Sequence, residues 1–190
     1  GVAVTGAGAV LPGLIGNSRT WLNKDIPAGI GELTLFAPPG KCEHAGEVTS
    51  YDWKQYLFSN QTYSDRCTQL ALGAARLVLE EAGLTLPLAE DQEVGLCFGT
   101  CWGCLDSAER FYAPLAAGKG KLASSLVFSH SYSNCPTSFV AIEFGLRGYS
   151  ASFAGSTEAG WWALLAGYDA LISGAAARVL LRLCLAALCA

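Results

Sequence analysis

The chain has 190 residues, of which 52% are hydrophobic and only 15% charged, and a formal net charge of −4. That length makes one domain or two small ones and is enough to bury a core. It carries no run of Lys and Arg of the kind that replaces counterions on a nucleic acid, and so apolar a composition implies burial twice, once in the core and once against a partner.

Residues 2–5 read as a short apolar strand, followed by Gly6, Gly8, Pro12 and Gly13. The start lacks a basic n-region, so no signal peptide is expected, and the absence of any methionine implies trimming from a longer product. Residues 18–23 predict a short helix capped by Asn17 or Ser18. Residues 25–39, rich in Gly and Pro, predict irregular loop, and 45–48 a short strand. Residues 52–57 read as a helical turn or two. The strongest helix spans 65–82, with Leu70, Ala74, Leu77 and Val78 on one face and Gly83 closing it. Residues 94–98 form an apolar run suited to a strand buried on both faces.

Further on, 105–116 predicts a helix ended by Gly118 and Gly120, and Pro136 opens another that ends near Gly145. Residues 150–154 read as strand, 157–172 as helix closed by Gly174, and 178–181 as a last strand. Short apolar strands alternating with helices predict an α/β fold with a mostly parallel sheet flanked by helices. The strands at 2–5, 94–98, 150–154 and 178–181 are expected to share that sheet. No internal repeat or low-complexity tract interrupts the chain. The apolar tail from 175 to 190 is short for a membrane span and is cut by Arg178 and Arg182.

The eight cysteines are scattered. Cys67 and Cys97 fall inside apolar elements, and Cys184 and Cys189 lie in the tail, which fits buried thiols in a reducing, cytoplasmic setting better than a disulfide framework. Cys101 and Cys104 make a lone Cys-x-x-Cys with no second pair and no His at ligand spacing, so no metal site is expected. Gly6-x-Gly8 after a strand suggests a dinucleotide fingerprint. Leu11 replaces its third glycine and Pro12 stands where the helix should run, so no nucleotide cofactor is expected. Trp161 and Trp162, a quarter-turn apart on a helix, predict one ring in the core and one at an interface.

The most informative stretch is 148–160. It reads as a buried strand, a sharp turn at Ala154, Gly155 and Ser156, and a helix that begins near Thr157 and Glu158. Together with residues 2–10, the Ala45–Gly46–Glu47–Val48 strand, Asp65 through Leu72, Glu81 through Leu84, Val94 through Thr100, Asn134, and Gly145–Leu146–Arg147–Gly148, it resembles the N-terminal half of the β-ketoacyl synthases. No one segment is specific; their order and spacing carry the resemblance, which covers nearly the whole chain. It implies a thiolase-like fold, N-terminal half only. The implied division is a ketosynthase N-terminal-like domain at 1–181 and an atypical apolar tail at 182–190.

In that family the strand-turn-helix presents a nucleophilic cysteine, whose thiolate a helix N-terminus stabilises. Thr157 stands at that position here. Its hydroxyl needs an adjacent base, and neither Glu158 nor the neighbouring hydroxyl of Ser156 is expected to face it from successive helical positions. The plainer expectation is that Ser156 or Thr157 caps the helix. The family's two catalytic histidines lie in its other half. His44 and His130 match neither of their motifs and read as solvated or hydrogen-bonded loop residues.

Two functions stay open. One is an inactive ketosynthase-like subunit of fatty-acid or polyketide biosynthesis, similar to a chain-length factor, that pairs with an active ketosynthase or with itself and shapes the tunnel for acyl groups borne by an acyl carrier protein. The other is a weak acyltransferase or hydrolase that uses Thr157 or Ser156. A ketosynthase fragment without independent function is also compatible with the sequence.

Overall fold

The computed structural model describes residues 1–21, 29–35 and 43–184. The chain opens with a hairpin, β1 (Gly8–Leu11) and β2 (Leu14–Asn17), paired antiparallel with Leu11 opposite Leu14. Pro12 and Gly13 turn between them: proline fixes the first corner, and Gly13, with φ 74°, takes the second. The expected strand at 2–5 is not formed. Those residues are irregular, with Val2 and Val4 exposed. A strand needs a neighbour for its N–H and C=O groups, and the Pro-Gly turn supplies one only to the residues that follow.

Helix α1 (Ser18–Trp21) follows at once, and its expected continuation to 23 lies outside the described residues. β3 (Ile30–Glu32) and β4 (His44–Gly46) pair antiparallel, so the span expected to be loop contains a short strand. The remainder of 25–39, apart from 29–35, lies outside the described residues. The helical turn expected at 52–57 forms as a single 3₁₀ turn, Trp53–Tyr56, whose Lys54 N–H is capped by the Asp52 carboxylate at 3.1 Å.

Helix α2 (Arg66–Glu81) starts at Asp65, whose carboxylate accepts the Cys67 N–H at 2.8 Å. Its packed face matches the expected one only in part: Ala74 is buried, together with Cys67, Thr68, Ala71, Leu72, Ala75 and Leu79, while Leu70, Leu77 and Val78 are half-buried. Ala71, Leu72, Ala75 and Leu79 join the main core cluster from this face.

β5 (Gly95–Thr100) is buried throughout and is the centre of a three-stranded parallel sheet. β6 (Ser150–Ala154) flanks it on one side and β7 (Val179–Cys184) on the other. Three of the four strands expected in one sheet are therefore there, and β7 runs on past the expected end at 181. The intervening helices are α3 (Leu105–Ala116), α4 (Ser125–Ser129), α5 (Cys135–Phe144) and α6 (Ala159–Ile172).

Alternate residues of β5 face opposite ways. Leu96 and Phe98 join the core built with Ala71, Leu72 and Ala75 of α2 and Val140 and Phe144 of α5. Gly99 faces α6 on the other side. A strand covered on both faces must be apolar at every position, which the run at 94–98 anticipated. Among the described residues no helix is long and apolar enough to cross a membrane.

Candidate functional site

The turn between β6 and α6 is placed by three contacts. Thr137 Oγ1 of α5 lies 2.6 Å from Ser152 Oγ of β6 and ties the strand to the helix beside it. Gly155, with φ 97°, donates its N–H to the Cys101 carbonyl at 3.1 Å, which anchors the turn on the loop after β5. The start of α6 then presses on β5: Ala159 is buried, and a Cβ placed on Gly99 would lie 2.3 Å from the Ala159 carbonyl oxygen. Only glycine lets the helix N-terminus come this near the sheet.

The helix begins at Ala159, two residues later than expected, so Ser156, Thr157 and Glu158 all belong to the turn. Glu158 is the residue that precedes the helix, and no side chain caps it. The expectation that Ser156 or Thr157 accepts a helical N–H is therefore wrong. The Glu158 carboxyl is held below its usual range by its own backbone N–H first, then by Thr157, then by Ser156, against a small opposing effect of burial.

Glu158 is the residue that sequence reasoning set aside, because successive positions on a helix diverge. Residues 155–158 lie in a turn, where helical spacing does not set side-chain direction, and the glycine at 155 is the signal that the turn continues past the strand. Thr157 and Glu158 are exposed and Ser156 is half-buried.

The two histidines differ. His130 is buried, stacked on Phe139 at 4.5 Å with rings 8° apart, and met edge-on by Tyr63 at 5.1 Å. Its Nδ1 has no partner among the described residues, and burial lowers its pKa against the pull of Asp65. It is a core aromatic more than a proton carrier. His44 is exposed in β4. The Trp pair differs as well: Trp161 and Trp162 are 68% and 55% exposed, so neither ring enters the core of this chain. The inward positions of α6 are the small residues Ala159, Ala163, Gly167 and Ala170, which seat its backbone tightly and push the large side chains outward.

A cavity of about 270 Å³ opens elsewhere, lined by Trp53, Lys54, Tyr63, Arg66 and Arg110 among others, and no residue of the β6–α6 turn reaches it. Among the described residues no group of three His, Cys, Asp or Glu is placed to hold a metal.

Comparison with known proteins fits this geometry. The family description "Beta-ketoacyl synthase, N-terminal domain" matches residues 1–180, and the chain belongs to that family. It is 33% identical over 121 residues to the tetracenomycin polyketide synthase ketoacyl synthase alpha subunit of Streptomyces glaucescens, covering 62% of this chain and 28% of that protein. It is 29% identical over 156 residues to the beta subunit of the same synthase, covering 80% of this chain and 38% of that subunit. The solved ishigamide ketosynthase/chain length factor superposes with a TM-score of 0.75 at 21% identity, over 90% of this chain and 44% of that one. The fold is thus the N-terminal half of the thiolase-like ketosynthase architecture, and the chain spans less than two fifths of the curated relatives it matches.

Proposed function

We propose that this chain serves as a non-condensing, chain-length-factor-like member of a polyketide or fatty-acid ketosynthase assembly, pairing with an active ketosynthase and helping to shape the space for an acyl chain delivered by an acyl carrier protein. The observation that carries this reading is that Thr157 stands in the turn with no cysteine beside it, followed by the exposed carboxylate of Glu158 directly before α6. In a condensing enzyme the helix N-terminus stabilises an anion on the nucleophile. Here a fixed negative charge already occupies that end. A thiolate or alkoxide at position 157 would form beside it, at an electrostatic cost, and an unassisted hydroxyl is a poor nucleophile.

A second reading has its own support in the same residues. A carboxylate that accepts the Thr157 hydroxyl proton is the minimal arrangement for a general base, and it would serve a slow acyltransferase or hydrolase. The depressed pKa of Glu158 argues against it, because a weaker base takes a proton less readily in the transition state. The two readings separate on one assay. The chain is incubated with acyl-loaded carrier protein and a malonyl donor, and carrier and chain are weighed by mass spectrometry. Acyl transfer or condensation by the unmodified chain, abolished by Thr157→Val, would overturn the non-catalytic reading; an unchanged acyl carrier supports it.

A further inference from the structure

The cavity away from the β6–α6 turn has a chemistry of its own. It opens between the 3₁₀ turn at Trp53–Tyr56, the segment 62–64, the first turn of α2 and the first half of α3, and encloses about 270 Å³. One water takes ~30 Å³, so the space holds an oxyanion together with part of the molecule that bears it. Lys54, Arg66 and Arg110 line it, against the single carboxylate of Asp106. In a chain of net charge −4, this concave excess of positive charge draws anions to one place.

Two of the three cations lack a counter-ion. Asp106 Oδ2 pairs with Arg110 Nε at 3.1 Å, and neither Lys54 nor Arg66 has an ion pair among the described residues. The carboxylates on neighbouring segments are committed elsewhere. Asp52 accepts the Lys54 N–H at 3.1 Å; Asp65 accepts the Cys67 N–H at 2.8 Å and the Ser107 hydroxyl at 2.7 Å. Arg66 is held by neutral groups: it donates to the Val48 carbonyl and, at 3.1 Å, to Gln69 Oε1, and lies over the Tyr51 ring at 5.5 Å. Burial disfavours its charge and lowers its pKa, with Tyr51 pulling the other way.

Ser64 points to a ligand independently. It is 4% exposed, it lines the cavity, and its Oγ has no hydrogen-bond partner among the described residues. A buried hydroxyl left unpaired is destabilising until something accepts from it. Gln69 Nε2 donates to the Ser64 carbonyl at 2.9 Å, so one amide side chain fixes both Ser64 and the Arg66 guanidinium.

We propose that this cavity binds the phosphate group of a small phosphate monoester. The guanidinium of Arg66 presents its planar fork to the phosphate oxygens, the Ser64 hydroxyl donates to one of them, and Lys54 and Arg110 add charge from the exposed rim. Three cations against one carboxylate leave two positive charges, which a phosphate monoester near neutral pH matches and a lone carboxylate does not. Trp53 and Tyr63, also on the cavity wall, give the organic part an aromatic surface.

Isothermal titration calorimetry of the folded chain with inorganic phosphate and with phenyl phosphate tests this. Each is expected to bind at one saturable site, phenyl phosphate the tighter. Arg66→Gln should weaken binding about tenfold or more, as loss of a charge-assisted fork does. Lys54→Gln and Arg110→Gln should each weaken it less, and Asp106→Asn, which removes the competing carboxylate, should tighten it. Arg147, paired with Glu90 outside the cavity, supplies the control in Arg147→Gln. If Arg66→Gln does not fold, the exposed positions 54, 106 and 110 decide the matter, because their opposite effects follow from an anion held among them. Absence of saturable binding, affinities indifferent to those three positions, or an equal response to Arg147→Gln would overturn the proposal. A site that takes inorganic phosphate and refuses phenyl phosphate would overturn the monoester as its ligand.

Discussion

Gly99 and Ala159 meet so closely that no side chain fits between them: a Cβ on Gly99 would lie 2.3 Å from the Ala159 carbonyl oxygen, 2.5 Å from its carbonyl carbon and 2.7 Å from Gly160 Cα. All three atoms are backbone, so a methyl group there must lift the start of α6 off the sheet. Gly99→Ala is expected to cost about 3 kcal/mol, at the upper end of ordinary overpacking, and to lower Tm by roughly 6–12 °C for a chain of this size. Gly120→Ala, where the added methyl finds Leu115 at an ordinary 3.5 Å, is the control. Thermal unfolding followed by circular dichroism measures both; equal Tm values for the two variants would contradict the packing argument.

Glu143 sets an acid limit on stability. It is buried on α5 and accepts N–H bonds from Phe58 and Ser59, the second at 2.9 Å, together with the hydroxyl of Ser59 and the amide of Gln61. Burial pushes its pKa up, but these bonds, the Ser59 hydroxyl foremost, outweigh it and hold the carboxyl below the ordinary 4.5. Because the folded-state pKa is depressed, its contribution is fully present above about pH 4.5 and is lost as pH falls through the folded-state value. Urea unfolding as a function of pH should show stability declining below pH 4.5, and Glu143→Gln should flatten that decline. A variant with the same pH slope as the unmodified chain would remove Glu143 from the account.

Position 157 offers a direct reading of the local field. Thr157→Cys should react with iodoacetamide slowly near neutral pH, because the Glu158 carboxylate beside it disfavours the thiolate. Adding Glu158→Gln should move the midpoint of the rate–pH profile downward, with the larger rate difference below the thiol midpoint. Neither variant is expected to gain condensing activity, since charge removal supplies no second catalytic group. Superimposable profiles for the single and double variants would show that the carboxylate does not govern this site.

The outward face of α6 should drive association. Trp161, Leu165, Tyr168 and Ile172 repeat at helical spacing and are all about half exposed or more. An apolar row of that extent is unstable in water without a cover. The isolated chain is expected to self-associate in sedimentation velocity, and the paired change Leu165→Lys and Ile172→Lys to shift it toward monomer. An unmodified chain that stays monomeric at every accessible concentration would speak against this face as a contact surface.

Much of the architecture follows from sequence alone, because it depends on local order. The apolar run at 94–98, the Asp65 cap with its helix to Glu81, and the strand-turn-helix at 150–172 are each specified by residues close in the chain, and their succession points to a parallel sheet and to the ketosynthase family. What the tertiary structure decided is long-range. Residues 2–5 have strand composition but no neighbour to pair with, so they stay irregular. The inward face of α2 was set by the core it packs on, so Cys67, Ala71, Leu72, Ala75 and Leu79 turned inward while Leu70 and Leu77 stayed half-buried. His130 became a core ring because Phe139 and Tyr63, distant from one another in sequence, close around it. Glu158 falls in the turn because α6 starts two residues later than the helix pattern suggests, after Gly155 takes φ 97°. Sequence specifies which elements can form; hydrogen-bond partners and close approach between remote segments decide which way their side chains face.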